Sequence, residues 1–185
     1  MSEIKFVFIE TERLILRKFR EADAETFFKY RTDPRVARYQ GDIWANYRFE
    51  QALEFVRGQM NAEPGIPDSW FQIAVESKSE ACLIGDLAIH TLQHETDQAE
   101  IGFTLDPAYR NKGFGTEAVK HLLGYIFHVL KLRRVIAITD VRNEDSIRLL
   151  ERIGMRREGH FIKSVWNKGE YVDEYLYALL SEECV

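Results

Sequence analysis

The chain has 185 residues, 45% of them hydrophobic and 30% charged, with a formal net charge of −5; this is enough for one core and argues against nucleic acid as the main ligand, while favouring an amine-bearing partner. Its two cysteines, Cys82 and Cys184, stand in no metal-ligand spacing, which excludes a disulfide framework and a zinc site and makes a reduced, cytoplasmic setting the expectation. The opening Met1-Ser2-Glu3-Ile4-Lys5 lacks a basic region before an apolar run, and no window approaches the roughly 18 apolar residues of a membrane span, so an unexported, membrane-free domain over residues 1–185 is expected.

Residues 12–19 alternate around Leu14 and Leu16, with Ile9 as a further anchor, and read as a strand. Asp23 then caps a short helix carrying Phe27, Phe28 and Tyr30. Asn46 opens a second helical pattern, with Phe49, Leu53, Val56 and Met60 on one stripe, ended by the turn residues of 63–68. Three strand-like runs, 70–76, 82–92 and 99–105, separated by polar turns at 77–80 and 94–98, read as an antiparallel meander. From 116 to 130 the apolar residues Val119, Leu122, Leu123 and Ile126 fall at helical spacing, and 134–139 returns to strand, which predicts a right-handed parallel crossover. Asn143 caps a further helix with Ile147, Leu150 and Ile153 inward, Gly154 stops it, and strands at 156–165 and 171–180 close the chain.

Residues 106–118 hold Arg110-x-x-Gly113-x-Gly115 between a strand's end and a helix's start. N–H groups at a helix start form an anion site, two glycines keep side chains away from it, and Arg110 and Lys112 add positive charge; the segment predicts a pyrophosphate. A turn needing positive φ accounts for one glycine more easily than for two. Gly113-x-Gly115-x-x-Ala118 also fits a relaxed dinucleotide fingerprint with Asp140 ending the next strand, but 107–112 separates strand from glycine and too few βα units follow for a doubly wound sheet.

Together with Asn143-x-x-Ser146 after the next strand, this pattern resembles the GNAT superfamily of N-acetyltransferases over about residues 11–180. The opening Thr11-Glu12-Arg13-Leu14-Ile15-Leu16-Arg17 and Ile153-Gly154-Met155 resemble the RimJ/RimL-type branch, which acetylates protein N-termini, including ribosomal ones. The resemblance implies an α/β (α+β) fold: a mixed, mostly antiparallel sheet of six or seven strands with a central strand-helix-strand crossover and about four helices. It implies acetyl-CoA as co-substrate, no metal, and an amine acceptor. By the same resemblance, Phe103, Thr104 and Leu105 meet pantetheine where strands 99–105 and 134–139 splay. The stretch Arg110, Asn111, Lys112, Gly113, Phe114, Gly115 and Thr116 takes the pyrophosphate, and Asn143 binds the pantetheine arm.

Many members of the superfamily place a tyrosine seven residues after the asparagine to protonate the departing thiolate. Leu150 stands there, so Ser146 is the alternative donor, beside a reading in which it only bonds backbone. The nucleophile is the acceptor's amine. Neutralising an α-amine at pH 7 costs about 1 kcal/mol against about 4–5 kcal/mol for a lysine, so a weak base suffices for an N-terminus. Glu100, on one face with Gly102 and Thr104, is the expected base and Asp86 the second choice; Glu100 has an equal reading as an orienting or solvated residue. A protein N-terminus is the expected acceptor. The alternatives are an aminoglycoside or polyamine, which the acidic charge favours, and a non-catalytic acyl-CoA-binding module, which Leu150 favours. A homodimer placing 21–61 near the pocket fits as well. Trp44, Tyr47, Trp70 and Phe71 are candidates for a peptide cleft or for the core, and His90, His94, His121, His128 and His160 show no ligand spacing.

Overall fold

Alternation about buried Leu14 and Leu16 makes β2 (Leu14–Arg17) a strand, and it lies between a three-residue strand, β1 (Phe8–Glu10), and β3 (Ser69–Ser77), antiparallel to both. The computed structural model describes residues 5–41, 46–92 and 97–184; Trp44 and His94 lie outside the described residues. β4 (Cys82–Thr91) and β5 (Gln98–Leu105) continue the meander, and β6 (Arg134–Asp140) joins β5 in parallel. β7 (Arg156–Asn167) and β8 (Glu170–Leu180) close the sheet in the order β1-β2-β3-β4-β5-β6-β8-β7.

The sheet has eight strands rather than six or seven because β1, with one apolar anchor, is too short to show a period. Five α-helices are described instead of four: α1 (Ala24–Arg31), α2 (Pro34–Ala37), α3 (Phe49–Met60), α4 (Phe114–His128) and α5 (Glu144–Arg152). The addition, α2, is a single turn; Asp33 accepts the Arg35 N–H as its cap and Pro34 stands in its first turn. Two expected helix starts move. α3 begins at Phe49 after Arg48 rather than at Asn46, and Asp23 does not cap α1 through its side chain. Its carboxylate instead takes two bonds from buried Arg17 (2.7 and 2.8 Å) and one from the Arg20 N–H (2.6 Å). That holds the strand-to-helix turn.

The crossover helix α4 sends Val119, Leu122, Leu123 and Ile126 into the main core on one face of the sheet, while α1 and α3 pack Phe27, Tyr30, Ala52 and Val56 on the other. Parallel pairing of β5 with β6 runs only from Gln98↔Arg134 to Glu100↔Ile136. Beyond it β5 runs on to Leu105 and β6 to Asp140 without partnering each other, so the sheet splits between its two covered faces, as the resemblance implied. No helix among the described residues is long and apolar enough to cross a membrane.

Candidate active site

Hydrogen-bond parity fixes what the split exposes. The Asp106 N–H donates to the Ile84 carbonyl at 2.9 Å, so even-numbered β5 residues bond β4 and the odd-numbered Phe103 and Leu105 turn N–H and C=O toward β6. On β6, the Ser181 N–H donates to the Arg133 carbonyl (2.9 Å) and the Val141 N–H to the Asp173 carbonyl (3.1 Å). Odd residues there face β8, and Ile138 faces the gap. Unpaired inward backbone groups are costly, so the gap suits a ligand that brings amides of its own, as pantetheine does.

A cavity of about 820 Å³ runs through this gap. On the side of α4 and α5 it is lined by Leu105, Gly113, Gly115, Thr116, Asn143 and Ser146; on the side of α1, α2 and α3 by Tyr39, Gln40, Phe55, Trp70, Gln72 and Glu174. Period-two alternation explains the division: Asp86, Ala88, Gly102, Thr104, Ile138, Asp140 and Glu174 share the second face through the cross-strand registers.

Gly113 caps α4 in the left-handed region at φ +84° and makes no side-chain capping bond to the first-turn N–H groups. Those donors remain for an anion. A Cβ on Gly115 would meet Leu149 Cδ1 at 2.8 Å and Leu105 Cδ1 at 3.2 Å. A positive-φ turn thus accounts for Gly113 alone, as expected, and Gly115 has a separate cause in packing. Of the predicted phosphate stretch, Arg110, Asn111, Gly113, Gly115 and Thr116 line the cavity. Lys112 and Phe114 do not: the Lys112 ammonium lies 5.3 Å from the Tyr109 ring centre, and Phe114 packs under the Arg13 guanidinium at 4.5 Å. Arg13 also donates to the Lys112 carbonyl (2.9 Å) and to Glu117 (2.6 Å), which accepts from Thr11 Oγ1 as well (2.5 Å). The opening motif thus braces the loop from outside. Arg148 and Arg152 on α5 add cationic lining that the motif did not reveal.

Asn143 Oδ1 accepts the Ser146 N–H at 3.4 Å, which leaves the Nδ2 donors for a ligand. Ser146 lines the cavity one turn into α5, and Leu150, where a tyrosine acid would stand, is buried. The Thr104 hydroxyl accepts from Gln40 Nε2 (3.1 Å), and Gln40 Oε1 accepts from Arg31 (3.0 Å). Arg31 in turn is ion-paired with buried Asp86, whose other oxygen accepts the Tyr30 hydroxyl at 2.6 Å. With its amide turned so that nitrogen faces Asp86, Gln72 donates at 2.9 Å. Both Asp86 oxygens are therefore held by donors, and the residue anchors α1 to β4 rather than serving as the second-choice base. Burial pushes the Tyr30 hydroxyl well above its ordinary value, so it stays a donor.

Glu100 shares the acceptor-side face but is not among the cavity's lining residues; it lies opposite His90, whose ring stacks on Trp70 at 4.7 Å. Burial raises its carboxyl pKa, the His90 charge opposes that, and the negative charge of Glu174 reinforces it. Glu174 itself does line the cavity, half-buried, with burial raising its pKa against the 3.2 Å hydrogen bond from Ser164. Its signal in the sequence is a carboxylate in the alternating row Val172, Glu174, Leu176, Ala178. Tyr47 and Phe71 do not line the cavity, whereas Trp70 does. The described residues contain no group of side chains able to hold a metal ion.

A family model described as an acetyltransferase (GNAT) domain matches residues 13–156. The chain is 36% identical over 175 residues to the uncharacterized N-acetyltransferase YnaD of Bacillus subtilis, covering 95% of this chain and 98% of that one. It superposes on the crystal structure of a GNAT-family acetyltransferase from Bacillus anthracis with TM-score 0.85 at 37% identity, covering 96% and 100% of the two chains. The fold is shared as well with spermidine N-acetyltransferase from Vibrio cholerae in complex with CoA and spermine, at TM-score 0.78, 20% identity and coverage of 94% and 98%. The split sheet, the glycine-opened helix and these likenesses together establish that the chain belongs to the GNAT acetyltransferase family and is an acetyl-CoA-dependent N-acetyltransferase.

Proposed function

We propose that the acceptor is a protein or peptide α-amine, as in the RimJ/RimL-type branch that the sequence resembles, and that residues 1–185 act as one cytoplasmic acetyltransferase domain. The observation that carries this reading is the charge of the acceptor side. Of the carboxylates lining the cavity, Asp86 is held by Arg31, Asp140 by Arg142 and Asp145 by Arg148, so among the described residues Glu174 alone is not held by an arginine or lysine. One free carboxylate suits one ammonium, whereas a polyamine presents several. The aromatic and amide wall of Phe55, Trp70 and Gln72 suits the uncharged remainder of a peptide.

Acetyl-CoA supplies the activated acetyl thioester. The N–H of Phe103, turned into the gap, would polarise the thioester carbonyl, with Phe103, Thr104 and Leu105 aligning the pantetheine arm. The α4 N-terminus with Arg110, Asn111, Lys112, Gly113, Phe114, Gly115 and Thr116 would hold the pyrophosphate, the two residues off the cavity acting through the loop's backbone. Asn143 would donate to the arm, and Ser146 would give its proton to the leaving sulfur. Competition between an Ala-initiated peptide, a peptide with a blocked N-terminus and a free lysine, and spermidine tests the acceptor. At pH 7 an α-amine is roughly 300-fold richer in the neutral form than a lysine amine. The reading expects the free N-terminus to win; preferred acetylation of spermidine refutes it.

A further inference from the structure

We infer that Glu174, on the closing strand β8, and not Glu100, is the group that takes the proton from the attacking amine. The inference rests on the acceptor reading above.

Glu174 stands opposite Asp140 in the β6–β8 register and shares a face with Ile138, the residue whose backbone turns to the gap. It thus lies on the side of the sheet opposite α5, the helix that carries Ser146. That is the arrangement a direct transfer needs: the amine approaches from one face, and the sulfur departs on the other. The nitrogen–carbon bond forms as the carbon–sulfur bond breaks, and the electron pair of the broken bond stays on sulfur. The amine's proton passes to the Glu174 carboxylate and then to solvent, while sulfur receives the Ser146 proton, which solvent restores.

The groups facing Glu174 set its basicity. From β7, Ser164 donates a single hydrogen bond at 3.2 Å and Phe161 stands opposite. From β6, Asp140 adds negative charge, although Arg142 binds it at 2.7 Å. Glu100 of β5 shares this face but stands opposite Ile136, with His90 behind it; the charge of Glu174 acts on the Glu100 carboxyl and raises it. His160 is engaged with Asp173 at 2.8 Å. A carboxylate beside another, and held by no arginine or lysine among the described residues, is a better proton acceptor than one locked in an ion pair.

Two measurements test the assignment. In ligand-free protein carrying carbon-13 glutamate, the resonance missing from E174Q should titrate above the ordinary glutamate value of 4.5; titration at or below 4.5 overturns the proposal. With an Ala-initiated peptide, kcat/KM should fall with unit slope below the amine's pKa and steepen at a second break set by Glu174. E174Q should lose that break and about 10²-fold in rate at pH 7, whereas E100Q should keep the break. A break retained in E174Q, or lost in E100Q instead, overturns the assignment. If no peptide is acetylated, the N-terminal reading fails by itself, and the base is read from hydrolysis of acetyl-CoA, where water takes the amine's place. Slower hydrolysis in E174Q then sustains the proposal, and unchanged hydrolysis refutes it.

Discussion

Replacing Gly85 by alanine should damage the site from behind. A Cβ built there lies 2.3 Å from the Thr104 carbonyl oxygen, 2.7 Å from Leu105 Cδ2 and 3.0 Å from Leu105 Cα. The first distance is about 1 Å short of ordinary contact, and its partner is backbone, so no rotamer change relieves it. β4 and β5 must part where Leu105 opposes Gly85, next to the 2.9 Å bond from the Asp106 N–H to the Ile84 carbonyl. Overpacking of about 1–3 kcal/mol and one lost hydrogen bond of about 1 kcal/mol give a destabilisation of roughly 2–4 kcal/mol. For a chain of this size that lowers the melting temperature by roughly 5–15 °C. Gly124→Ala is the matched control: the same atom is added inside α4 with nothing within 4 Å. It should stabilise by about 1 kcal/mol, because alanine has the better helix propensity. Calorimetry on the two variants checks the pair, and titration of acetyl-CoA should show weakened binding only in Gly85→Ala. A Gly85→Ala protein that melts within roughly 2 °C of the parent and binds acetyl-CoA unchanged would refute the close packing behind the cofactor strand.

Ser146→Ala should lower kcat by on the order of 10²-fold with little change in KM for acetyl-CoA; an unchanged kcat removes the acid role. Asp86→Ala leaves the Arg31 charge buried without its carboxylate and should cost about 3–5 kcal/mol in urea unfolding. A loss below about 1 kcal/mol would mean that the pair is not a structural anchor. Hydrogen bonds from Arg134 bring the Glu158 carboxyl down from 4.5 to about 2. A depressed folded-state value means that its contribution is present above pH 4.5 and lost as pH falls toward 2. Glu158→Gln should therefore flatten the stability curve in that window, and an unchanged acid slope would contradict the ion pair.

The crossover, the glycine-opened helix and the asparagine-capped α5 were legible because each is written locally, in period and in cap residues. The split between β5 and β6 came only through the family resemblance, since where a parallel pairing ends depends on strands far apart in the chain. Asp86 looked like a candidate base because it lies on the strand next to that of Glu100; that Arg31 and Tyr30 would reach it from 55 and 56 positions away is invisible to spacing. Glu100 and Glu174 show the same limit in reverse. Both occupy alternating positions on the right face, but only the placement of β8 beside β6 decides which of them reaches the cavity. The exposed Trp166 and Tyr171, packed edge to face at 5.1 Å at the hairpin tip, belong to neither the core nor the cavity.

The central claim is that the two substrates meet through the sheet, the cofactor on the α4–α5 face and the amine on the face of α1, α2 and α3. A crystal structure with CoA and an Ala-initiated peptide tests it directly. The account predicts the sulfur in the gap between Phe103 and Ile138, with Ser146 on its side of the sheet and the peptide α-amine on the side of Glu174. A peptide entering from the α4–α5 face, or a sulfur outside the gap, would contradict it.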